Sequence, residues 1–214
     1  MKTKRNEFIE AKLIVDGKVT ANDIAETFAM KPASALGDIF GYLKNNPKKV
    51  DKNRGDDFLI RTGESIKKFK MSEKRAKELL AAFAFIRKNQ DNTDRLTARY
   101  AYIEAVLIKF NKIGRDEILR AFELAGAAAT RTMQAYVEAA PDNIEMYGRR
   151  YHTKGAEFTP KYLKATTKNA EKVADDLINA FKTVVGDDIL DPTASKMWRK
   201  ERGKEEKPAR AYRR

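Results

Sequence analysis

The chain contains no cysteine. That excludes a disulfide framework and a thiolate zinc site, and makes a reducing interior the default compartment. Histidine is nearly absent too. His152 is the single one, and with no spaced partner it is read as a hairpin-strand residue, not a metal ligand or an acid–base group. No apolar run approaches the ~20 residues needed to cross a membrane, and the opening MKTKRNEFIE has charge but no apolar core, so no signal peptide is expected. The sequence also lacks a glycine-rich phosphate loop, a G-x-S-x-G elbow and an H-E-x-x-H pair. The acidic pairs Asp56-Asp57, Asp175-Asp176 and Asp187-Asp188 are assigned to a turn, a solvated helix face and a helix-ending loop rather than to a two-metal centre. An enzyme is therefore not expected, nor a cofactor or a metal.

What is abundant is positive charge. Over 214 residues, 44 Lys and Arg stand against 31 Asp and Glu, a net charge of +13. Such a balance predicts attraction to a polyanion. It is uneven: from Ser195 onward nine basic residues face three acidic ones. This last stretch reads as a disordered basic tail, with Trp198 its one large apolar group.

The second abundant feature is repetition. Sliding the sequence by 94 residues places 5–50 on 99–144 with 13 identities in 46 ungapped positions. Arg5 falls on Arg99, Ile9-Glu10-Ala11 on Ile103-Glu104-Ala105, Phe28 on Phe122, Tyr42 on Tyr136 and Pro47 on Pro141. At an offset of 98, Leu79 falls on Leu177 and Phe83 on Phe181. Two copies are too few for a solenoid and indicate one duplicated domain. Phe8, Phe28, Phe83, Phe122 and Phe181 recur at equivalent positions, which assigns them to a core and not to base-stacking platforms.

Taken in order, Lys4 to Val15 carries Phe8, Ile9, Leu13 and Ile14 on one helical face and stops at Gly17. Thr20 is an N-cap with Asp23 three residues on, and Ala21 to Phe28 a short second helix. A tight turn at 29–31 leads to Pro32, which suits the first turn of a third helix ending at Asn45-Asn46-Pro47. The segment KKVDKNRGDDFLI reads as two short strands, and 67–88 as a trailing amphipathic helix. The expected architecture is mainly α: winged helix-turn-helix 1 over 1–66, trailing helix and linker over 67–90, winged helix-turn-helix 2 over 95–164, trailing helix over 165–186, and basic tail over 190–214.

The second copy, from Arg99 to Leu163, carries Ile103-Glu104, Leu107, Arg115, Glu117-Ile118, Phe122, Tyr136, Ala140-Pro141, Asn143-Ile144 and Tyr151. The first keeps Phe8-Ile9-Glu10, Leu13, Asp23-Ile24, Phe28 and Pro47. In these residues the chain resembles the N-terminal winged helix of WYL-domain transcriptional regulators, repressors tied to bacterial phage-defence loci. The resemblance covers about 60 residues of each half and implies duplex DNA as partner, a cytoplasmic, nucleoid-associated setting, and a phage or mobile-element source. The chain departs from the family where a ligand-sensing WYL domain would follow: the second half repeats the DNA-binding unit instead, so sensing of a nucleotide-like effector is not carried over.

A helix-turn-helix puts its second helix into the major groove, N-terminal residues first. In the second copy Ala127, Met133, Tyr136 and Val137 are expected in the core, leaving Ala128, Arg131, Thr132 and Gln134 outward. Arg131 suits guanine and Gln134 adenine. Arg115 is expected at a phosphate, and Arg149 and Arg150, in the wing turn, at phosphate or minor groove. In the first copy the third helix offers Ser34 and Asp38, while Lys31, Lys52 and Arg54 supply backbone charge. The trailing helices either cap their own units or join two chains as a homodimer. The function this implies is a sequence-specific DNA-binding regulator, a repressor. The alternative is a DNA-organising or genome-packaging protein that does not read sequence, and a third class is a protein-interaction module.

Overall fold

Where the first helix of each half ends, the chain turns through left-handed backbone, at Gly17 (φ +75°) and at Asn111 (φ +54°). These are the same position of the repeat, held by the two residue types that adopt this conformation most readily. In the computed structural model, which describes residues 2–52, 58–61, 69, 71–89, 96–148, 150–154 and 158–190, the two halves then run through the same order of elements. The first is α1 (Lys2–Val15), β1 (Lys18–Thr20), α2 (Ala21–Thr27), α3 (Pro32–Asn45), β2 (Val50–Lys52), β3 (Phe58–Arg61) and α4 (Glu73–Asn89). The second is α5 (Thr97–Phe110), β4 (Lys112–Ile113), α6 (Arg115–Ala121), α7 (Gly126–Ala139), β5 (Ile144–Tyr147), β6 (Arg150–Thr153) and α8 (Ala170–Val185), closed by a 3-10 turn at Asp187–Leu190. The protein is mainly helical, with small antiparallel sheets.

Each sheet has three strands in the same arrangement, β1-β3-β2 and β4-β6-β5. The short strand between the first two helices pairs with the last strand of the hairpin, Val19 opposite Leu59 and Ile113 opposite Tyr151. Val19 and Ile113 are fully buried, so each sheet is pinned to its helices by one β-branched side chain.

Local sequence explains the element limits. The Thr20 hydroxyl accepts from Asp23 N–H (3.0 Å), and the Asp23 carboxylate accepts from Thr20 N–H (2.8 Å). This is the expected capping box. Pro32 opens α3 as expected. The trailing helices start at Glu73 and Ala170, inside the 67–90 and 165–186 spans read for them. Ser72 caps the one, its Oγ accepting from Arg75 N–H (3.2 Å). Before the other, the Asn169 side chain takes the Thr166 N–H (2.7 Å) and folds 166–169 into a turn.

The core is built twice as well. Phe8, Phe28 and Phe83 form a triangle of edge-to-face rings with centroids 5.2–5.6 Å apart. Tyr102, Phe122 and Phe181 form its counterpart at 4.6–5.6 Å. These separations are those at which the ring quadrupoles attract. Each triangle ties the first, second and trailing helices of its half together. The trailing helices also pack against each other: α4 lies on α8, while α1 lies on α4 and α5 on α8. Arg75 of α4 donates to the Thr183 carbonyl of α8 (2.5 Å). The apolar faces of the trailing helices thus cap their own units and meet each other within the chain, with Leu79, Phe83, Leu177 and Phe181 all buried.

The second half contains an arrangement that sequence pattern does not announce. Glu104, fully buried on α5, accepts from the backbone N–H groups of Lys161 (2.9 Å), Tyr162 (2.8 Å) and Leu163 (2.6 Å) and from the Tyr136 hydroxyl (3.2 Å). Burial pushes its carboxyl above the usual range, against the pull of the three amides and the hydroxyl. One carboxylate therefore fastens the segment after the hairpin to α5 and, through Tyr136, to α7.

Candidate nucleic-acid interface

α7 buries Ala129, Thr132, Met133 and Tyr136 and leaves Ala127, Arg131, Gln134 and Glu138 exposed. The exposed four recur at steps of three and four, so they form one outward line along the helix. Arg131 and Gln134, the two groups able to make bidentate hydrogen bonds to a base edge, are neighbours on it. Ala125 precedes the helix in extended backbone, and the Ala128 and Ala129 N–H groups bond back to its carbonyl (2.9 and 3.0 Å). With only Gly126, Ala127 and Ala128 in the first turn, no bulky side chain shields that end.

Two expectations about this helix need correction. Ala127 faces out, not into the core. Thr132 faces in: its hydroxyl accepts from Arg99 Nη1 (2.9 Å) and donates to the Ala128 carbonyl (2.9 Å). With both capacities used and no exposure, Thr132 cannot touch a ligand. Val137 is half-buried against the core, as expected.

The first half repeats the correction. Asp38, at the position of Thr132, does not face outward but lies 2.7 Å from Arg5 Nε, with its side chain only 10% exposed. Arg5 and Arg99 are themselves equivalent. In each half an arginine from the first helix clasps the third helix at the same place. The outward line of α3 is Ala33, Gly37, Phe40 and Lys44, with Ser34 beside it. Lys31 is exposed just before the helix. Phe40, 49% exposed, stands where α7 has Gln134.

Around the second hairpin, Arg115 opens α6 with about half its side chain exposed, 3.7 Å from Asp116. Arg150 is not a free phosphate contact: its Nη2 donates to Glu117 Oε1 (2.7 Å). Glu117 also accepts the Gly114 N–H at the start of α6 (3.1 Å), so it joins the hairpin to that helix. A Cβ on Gly114 would fall 2.8 Å from Glu117 Oε2, so a larger residue there would push the Glu117 carboxylate aside. His152 lies on β6, opposite Lys112 and Glu145, with its ring edge-on to Tyr147 at 6.0 Å. Met146 and Tyr147 are 69% and 79% exposed, an apolar hairpin end that the sequence reading passed over. Lys52 is on β2, but its side chain lies outside the described residues, as do Arg54, Arg149, Asp56-Asp57 and the basic tail.

Among the described residues, Asp175 pairs with Lys109 (2.8 Å), and no group of three His, Asp or Glu side chains is placed to hold a metal ion. No helix among them is long and apolar enough to cross a membrane. No protein family, curated protein or solved structure matches this chain.

Proposed function

We propose that this chain is a sequence-specific, duplex-DNA-binding transcriptional regulator, a repressor, built from two winged helix-turn-helix units and working in the cytoplasm at the nucleoid. The observation that carries the reading is the outward line of α7: Arg131 and Gln134 exposed side by side on a helix whose opposite face is locked by Arg99 and Tyr136. A rigid helix with bidentate donors aimed outward, in a chain of net charge +13, suits major-groove readout. Each bidentate pair discriminates by roughly 1–3 kcal/mol. Two of them approach the ~4 kcal/mol that a thousandfold preference for one site requires. The likeness to WYL-domain regulators supports the same reading and a phage or mobile-element origin.

A second reading has its own observation. The outward line of α3, Ala33, Gly37, Phe40 and Lys44, holds no bidentate group, and one lysine among side chains that cannot pair with a base edge suits sequence-independent contact. A chain that used both helices as α3 is built would organise or package DNA without reading it. Selection from a random duplex library, followed by affinity across a salt series, separates the two. The regulator yields an enriched motif whose preference weakens at one position in Arg131→Ala. The absence of any enriched motif, with a steep salt slope that shrinks when 195–214 is removed, overturns the regulator and leaves the packaging protein.

A further inference from the structure

A pocket of about 190 Å3 lies where the two halves meet. Its lining pairs off under the repeat: Arg5 with Arg99, Phe28 with Phe122, and Phe83 with Phe181. The pocket therefore lies between equivalent residues of the two halves, beside the α4–α8 contact. Interfaces between units are where small-molecule sites concentrate. An apolar cavity of about 150 Å3 is enough to take up benzene, so this one has room for a ring and a small polar group. Four phenylalanine rings, two from each half, supply the apolar wall, and two guanidinium groups supply positive charge.

The turns that precede α3 and α7 border the same pocket. Ala29 (φ +47°) and Glu123 (φ +48°) are non-glycine residues held in left-handed backbone at equivalent positions. Such backbone costs about 1–2 kcal/mol at each site and gathers at clamps and switches.

We infer that this pocket binds a small organic monoanion, a carboxylate carried on one aromatic or branched apolar body. The rings take the body, and the arginines take the carboxylate. Glu123, the one carboxylate on the lining, selects against a second negative charge. The same arginines hold the outward helices in place, Arg5 through Asp38 on α3 and Arg99 through Thr132 on α7. A bound anion draws on those donors, so its occupancy reaches the seats of both helices. Nothing in this inference depends on DNA binding.

Benzoate titrated into the full chain, without DNA, tests it. The readouts are the aromatic signals of Phe28, Phe83, Phe122 and Phe181 and the amide signal of Thr132. Expected are saturable shifts in all five, with affinity at least tenfold weaker for benzyl alcohol, which keeps the body and loses the charge, and for acetate, which does the reverse. Arg99→Gln should weaken benzoate at least tenfold; should that variant not fold, the benzoate-to-benzyl-alcohol ratio on the native chain decides. No saturable shift with benzoate overturns the site, and equal affinity for benzyl alcohol overturns the anion subsite. Shifts of the rings without Thr132 overturn the link to α7.

Discussion

Arg5 and Arg99 do the same job with different partners. In the first half the arginine grips a carboxylate, Asp38, and in the second a hydroxyl, Thr132. The position is fixed by the need to hold the third helix against the first; the chemistry that fills it is free to change. The same holds one turn away: Tyr136 donates its hydroxyl to Glu104, whereas the buried hydroxyl of its counterpart Tyr42 has no hydrogen-bond partner among the described residues. On the outward line the halves share only the first alanine, Ala33 and Ala127, and then part, Gly37 and Phe40 standing where Arg131 and Gln134 stand. The inner faces kept their geometry while the outer faces diverged, the pattern expected if packing constrains one side and a ligand the other.

The widest gap between the halves should appear at the equivalent glutamates Glu104 and Glu10. Glu104→Ala removes the acceptor of three amides and a hydroxyl and should destabilise by about 3–5 kcal/mol, since each buried donor left unsatisfied costs roughly 1–3 kcal/mol. Glu10→Ala should cost clearly less, because that side chain is 19% exposed and faces Lys49 at 3.7 Å. Urea midpoints of the two variants measure the difference; equal losses would erase the asymmetry.

Next in size is the outward line, under the proposed function. Arg131→Ala should lower discrimination at one base pair by about 10- to 100-fold, while Ser34→Ala should change it by no more than about threefold. Competition binding with single-base operator variants reads both.

Removal of the Thr20 cap should cost about 1 kcal/mol, and it carries a pH signature. Burial raises the Asp23 carboxyl, but the Thr20 N–H and hydroxyl and the Lys12 ammonium outweigh it and hold the group below its ordinary value. The unfolded chain then binds the proton more readily. The cap's contribution is complete above the ordinary carboxylate range, near pH 4, and is lost as pH falls through the lower folded value. Acid titrations of stability should therefore be shallower in Thr20→Ala than in the native chain.

The smallest effect has the opposite sign. The buried Tyr102 hydroxyl has no hydrogen-bond partner among the described residues, and the equivalent residue is Phe8. Tyr102→Phe should be neutral or stabilise by up to about 1 kcal/mol, whereas Phe8→Tyr should destabilise by about 1–3 kcal/mol. Thermal unfolding of the pair would show whether the two ring triangles are interchangeable.

The order of helices and strands could be read from local signals: Gly17, the Thr20–Asp23 pair, Pro32 and the Asn45-Asn46-Pro47 stop all act over four residues or fewer. The phase of α7 could not. Alanines lie on every side of its first turn, so periodicity is flat there. Thr132 turns inward only because Arg99, 33 residues earlier, satisfies its hydroxyl. Asp38 misled in the same way, since a carboxylate reads as solvent-facing until a distant guanidinium is found beside it. The amphipathic trailing helices announced that they had a partner, but not whether it lay in their own unit, the other unit or a second chain. Of the candidate site, Arg131 and Gln134 were legible, while the engagement of Arg150 with Glu117 depends on a hairpin folding back over a helix start.

The contact of α4 with α8 maps onto itself under the repeat, as the contact between two identical subunits would. Here both partners are covalently joined, so the pairing is not subject to mass action and cannot be lost on dilution, unlike that of a homodimer. It also frees the halves from having to be identical. A symmetric dimer presents one surface twice and favours a palindrome; this chain presents two different surfaces in a fixed relation, and on the proposed reading its target has two unlike halves.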